Sequence, residues 1–83
     1  MEFVLLMAGS ITHAQRMAAM LDREGVRASI ARAPAGVDPR GCGYGVKVHR
    51  DKMDAALGLL RRRGIAVRGI YEKMGESWRE VGP

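Results

Sequence analysis

Glu2-Phe3-Val4-Leu5-Leu6-Met7-Ala8, closed by Gly9-Ser10, is a near-continuous apolar run that ends in a turn signal. Such a run reads as a strand buried on at least one face and flanked by strands on both sides, so a central strand is expected over residues 2–8. It does not read as a secretory leader, because its start lacks basic residues, its apolar stretch is short and Glu2 carries the wrong charge. Nor does any run approach the length of a membrane span.

The rest of the fold grows outward from this strand. Ser10 is placed to accept a hydrogen bond from the amide of Thr12 or His13. Ile11, Ala14, Met17, Ala18 and Leu21 then recur at helical spacing, which predicts a first helix ending near Gly25. Val26, Ala28 and Ile30 alternate with Arg27, Ser29 and Ala31, the period-two pattern of a second strand with one face on the core. Pro34, Gly36, Pro39, Gly41 and Gly43 crowd the following stretch and make it a long loop. Long ordered loops are often functional.

Tyr44, Val46 and Val48 alternate with Gly45, Lys47 and His49 to give a third strand. Asp51 is expected to cap a second helix with its stripe at Met53, Ala56, Leu57 and Leu60, closed by Arg61-Arg62-Arg63 and Gly64. Ile65 to Tyr71 is expected to be a fourth strand, with Gly69 as a bulge. Met74-Gly75-Glu76-Ser77-Trp78 is suited to a short hairpin that lays Trp78 on the sheet, though the same residues are also compatible with a frayed tail. The succession βαββαβ predicts an α+β, ferredoxin-like two-layer sandwich: an antiparallel sheet, two helices on one face, and an optional C-terminal hairpin. One domain over 1–83 is expected, with a core of about 2–71 and an extension over 72–83.

Fourteen Lys and Arg against nine Asp and Glu give a net charge of +5, which favours anionic partners. With one Phe, one Trp and two Tyr, the chain has few rings for a base-stacking sheet, so nucleic acid is a disfavoured partner on composition. The single cysteine permits no internal disulfide, and His13 and His49 form no metal-ligand spacing, so no metal is expected and a reducing, cytoplasmic compartment is. Gly41-Cys42-Gly43-Tyr44-Gly45 lacks the helix and the Gly-Lys-Ser/Thr of a phosphate loop.

Cys42 is the one residue to which the sequence assigns chemistry. A lone cysteine is often an inert buried hydrophobe, but here glycines on both sides leave the sulfur accessible. Arg40, Lys47, His49 and the start of the first helix would favour its thiolate. In the expected topology the turn carrying Ser10, Thr12 and His13 shares an edge with Cys42. Ser10 is needed as a cap whatever else it does, the amides beside it suit an anion, and a Cys42–His13 pair is conceivable.

A first strand running into Gly9-Ser10-Ile11-Thr12-His13-Ala14, a helix, a strand leading to Pro34, and Gly41-Cys42-Gly43 at the head of a short strand together resemble the small bacterial family of selenium/sulfur carrier-like proteins. The resemblance reaches to about Tyr71. Its most specific part is Pro34, a spacer, then Cys42-Gly43; the small Ala35-Gly36 after Pro34 and the Trp78 tail depart from the usual form. It implies a carrier whose Cys42 holds a persulfide or perselenide, received from a donor protein and passed to an acceptor, with no other cofactor. Arg40, Gly41, Gly43, Tyr44 and the first-helix amides would surround the loaded atom. A small regulatory or interaction domain with a basic surface, in which Cys42 is incidental, is the alternative. A homodimer through the edge of the second strand or the tail is open on topology.

Overall fold

The computed structural model describes residues 3–33, 43–75 and 77–82. Arg40, Gly41 and Cys42 therefore lie outside the described residues, whereas Gly43, Tyr44, Ser10, Thr12 and His13 lie within them. The elements are β1 (Phe3–Met7), α1 (Ile11–Arg23), β2 (Ala28–Arg32), β3 (Tyr44–His49), a 3-10 turn (Arg50–Lys52), α2 (Met53–Arg62), β4 (Gly69–Met74) and β5 (Ser77–Gly82). The class is α+β: one antiparallel sheet ordered β2-β3-β1-β4-β5, with two helices. The sheet has five strands, one more than the four of the expected core.

Alternation along β1 builds two hydrophobic clusters. Val4, Leu6 and Ala8 face the helices, where they pack with Ala14, Met17 and Leu21 of α1, Ala56 and Leu60 of α2, and Val46 and Val48 of β3. Leu5 and Met7 point to the opposite, helix-free face and are buried among Ala31, Ala33, Tyr71 and Trp78. Each fully buried side chain of this size contributes about 1.5–3 kcal/mol, so β1, buried on both faces, anchors the molecule.

Both helices end in the same way. Gly25 and Gly64 take positive φ (84° and 71°), while the amides of Val26 and Ile65 reach back to the carbonyls of Leu21 and Leu60 (2.8 and 2.9 Å). These are Schellman closures, with the buried Val26 and Ile65 supplying the hydrophobic contact.

Four expectations are corrected. The second strand is displaced to Ala28–Arg32, because the Schellman closure uses the Val26 amide. The fourth begins at Gly69 rather than Ile65: Ile65 is drawn into the helix-side core and the chain reaches the sheet only at Arg68, whose amide donates to the Met7 carbonyl at 2.9 Å. Asp51 does not cap α2. It sits in the 3-10 turn, where its own amide donates to His49 Nδ1 at 3.2 Å, and the residue at the α2 N-cap is Lys52, with no side-chain cap bond. The strand irregularity lies between Ile70 and Tyr71, against β5, while Gly69 pairs regularly with Met7.

The tail forms the expected hairpin: Met74 pairs with Ser77 and Lys73 with Trp78, so Trp78 reaches the helix-free face. Glu72, on the β4 arm of this hairpin, is buried with two arginines, Arg50 from the 3-10 turn at 2.9 Å and Arg79 from β5 at 3.2 Å. No helix among the described residues is long and apolar enough to cross a membrane.

Candidate functional site

The edge at which β1 ends gathers three segments distant in sequence. Ala8 donates its amide to the Tyr44 carbonyl at 2.8 Å, tying the end of β1 to the start of β3. Ala33 donates to the Gly43 carbonyl at 2.9 Å, so the two chain ends that lead into residues 34–42 are clamped together as a stem. Arg68 donates to Met7, adding the approach to β4. The stem thus stands beside the β1–α1 turn, the relation the βαββαβ order predicts.

Helix α1 starts at this edge. Ser10, extended at φ −151°, accepts the His13 amide through Oγ at 3.1 Å, the cap read from sequence. The amides of Ile11 and Thr12 precede the first intrahelical bond, as at any helix start, and leave a partial positive charge there. Thr12 is exposed.

His13 is committed elsewhere. Its Nε2 lies 3.0 Å from the Ala66 carbonyl, which can only accept, so Nε2 carries the proton and Nδ1 remains the basic nitrogen of the neutral ring. Tyr44 also has an inward contact: it is half-buried against the helix-side cluster. Gly43 is buried.

The basic neighbours divide. His49 stands at the opposite end of β3, six positions beyond Gly43, about 20 Å away at strand rise. That is more than two screening lengths at physiological salt, so it contributes nothing at the edge. Lys47 projects on the helix-free face with its Nζ 4.8 Å from the Phe3 ring centroid. Among the described residues, Arg32 pairs with Tyr44 beside the stem, and Arg68, which sequence reasoning absorbed into a strand, reaches the edge from the other side of β1. Its Cδ and Nη1 lie over Gly9, 2.8 Å from where a Cβ would stand, and Gly9 has φ 86°. Only the Arg68–Met7 backbone pairing reveals this, and no local sequence signal carries it.

Among the described residues no three His, Cys, Asp or Glu side chains gather as a metal would require. The edge therefore presents a clamped glycine-flanked stem, a capped helix start and an arginine, which together suit an anionic atom.

Compared with curated proteins and with solved structures, the chain matches none. The family model described as "Putative Se/S carrier protein-like" matches residues 3–72, a span that runs from β1 into β4 and includes Cys42, and the chain belongs to that family.

Proposed function

We propose that the protein carries sulfane sulfur or selenium on Cys42, receiving it from a donor protein and passing it to an acceptor in a reducing, cytoplasmic setting. Membership of a carrier-like family over a span that contains the chain's only cysteine is the observation that carries this reading. The edge supports it: the stem holds Gly43 beside the start of α1, and Arg68 adds a full positive charge where the helix adds a partial one.

Loading needs no external oxidant. The Cys42 thiolate attacks the outer sulfur of a donor persulfide, the donor's S–S bond breaks, and the donor leaves as a thiolate while Cys42 holds the S–SH group. The transferred sulfur keeps its oxidation state, and charge is conserved. Delivery repeats the exchange in the other direction. Selenium follows the same course as an S–SeH group. Arg40, Gly41, Gly43, Tyr44, Ser10, Thr12 and His13 are the proposed surroundings. In this role the ferredoxin-like core with its extra hairpin acts as a single-domain carrier, not a catalyst.

Intact-mass measurement after incubation with a persulfide or perselenide donor tests the proposal. One added sulfur or selenium on the wild type, absent from Cys42→Ser, is the expected result. An unmodified wild type, or an identical adduct on the serine variant, overturns it.

A further inference from the structure

Aromatic residues are few in this chain, but their placement is not random. Of the four, only Tyr44 packs toward the helices. Phe3, Tyr71 and Trp78 lie on the helix-free face, and each is half-exposed. Phe3 shares β1 alternation with Leu5; Tyr71 sits opposite Leu5 on β4; Trp78 sits opposite Lys73 on β5. Sheet spacings put the three rings about 8–10 Å apart, on three neighbouring strands.

Two cations lie among these rings, Lys47 beside Phe3 and Lys73 on β4 opposite Trp78. Lys47 Nζ is 4.8 Å from the Phe3 centroid, and Lys73 Nζ is 5.9 Å from that of Trp78. Both lysines are exposed, and Glu80, opposite Tyr71, is the acidic side chain at the rim. Among the described residues no helix covers this face, and the whole chain carries +5.

We infer that the helix-free face binds single-stranded nucleic acid, with bases stacking on Phe3, Tyr71 and Trp78 and phosphates neutralised by Lys47 and Lys73. Positive charge alone would suit an acidic peptide equally well; the rings decide between them. A peptide is usually taken by a strand edge or an apolar groove, whereas half-exposed rings interleaved with exposed lysines on an antiparallel sheet face match what unstacked bases and a phosphate backbone require. The inference stands apart from the carrier reading, since it involves neither the thiol nor a sulfur donor.

Trp78 is the only tryptophan in the chain, so its emission reports on this face alone. Titration with a short oligouridylate at about 50 mM salt is expected to quench it saturably, and affinity should fall as salt rises. In Lys47→Gln/Lys73→Gln the slope of log affinity against log salt should shrink by about 1.4, and Phe3→Leu should weaken binding about tenfold. Absence of quenching overturns the inference, as does an unchanged salt slope in the lysine variant. A polyglutamate of equal charge that binds as tightly also overturns it and assigns the face to acidic protein segments.

Discussion

His13 Nε2 holds the carbonyl of Ala66 at 3.0 Å, joining the first turn of α1 to the segment that carries the chain from α2 to β4. The bond spans 53 positions of sequence and ties the start of α1 to the β4 side of the edge.

Replacing His13 with alanine removes this partly exposed bond. A loss of about 1 kcal/mol is expected, read as a lower urea midpoint with an unchanged slope. A drop in slope would instead mean that the connection holds the native state compact.

Gly45 should tolerate no side chain. A Cβ there would stand 2.7 Å from the Leu6 carbonyl oxygen, with Met7 Sδ at 3.2 Å and Leu5 Cδ1 at 3.3 Å. Backbone cannot yield as a flexible side chain does, so Gly45→Ala is expected to cost about 2–3 kcal/mol. In a domain of this size that lowers Tm by roughly 10 °C or more, measurable by thermal circular dichroism.

Glu72 joins three elements through Arg50 and Arg79. Its own side chain is 8% exposed, but the arginines are 48% and 62% exposed, which limits what each pair contributes. Arg79→Ala is expected to cost less than about 1 kcal/mol, whereas Glu72→Ala should cost about 1–2 kcal/mol because it leaves two guanidinium groups facing each other. Chemical denaturation of the two variants checks the order.

In the proposed carrier, Arg68 acts on the Cys42 thiol through its charge. If its guanidinium raises the potential at the stem, Cys42 should react faster with a dianionic aromatic disulfide than with neutral iodoacetamide. Arg68→Gln should narrow that ratio about two- to threefold at low salt and leave it unchanged at high salt. An unaltered ratio at low salt would place Arg68 too far from the sulfur to act on it.

The expectations that held are those written into local periodicity. The Val4, Leu6 and Ala8 alternation, the Ala14, Met17 and Leu21 stripe, the Ser10 cap and the closures at Gly25 and Gly64 each depend on neighbours a few positions away. Ile65 and Arg68 went astray through contacts across the fold, and Asp51 through a neighbour two positions away. Ile65 has the apolar character of a strand residue, yet the core claims it before the sheet does. Asp51 is an ordinary cap candidate, but the His49 ring reaches its amide first. Arg68 shows no sign, in sequence, of lying over Gly9. The family resemblance read from Pro34 and Cys42-Gly43 is matched by the family model over residues 3–72. Residues 40–42, where the chemistry is assigned, lie outside the described residues.

Burial of β1 on both faces has a kinetic corollary. Its amides are bonded to β3 on one side and β4 on the other, with cluster side chains above and below. They can meet solvent only when the sheet opens as a whole, so hydrogen exchange along Val4–Met7 should proceed at the rate of global unfolding, while β2 and β5, each paired on one side alone, exchange through smaller local openings. Through the Ala8–Tyr44 bond, the β3 side of the Gly43 stem is thus fixed to the slowest-opening part of the molecule.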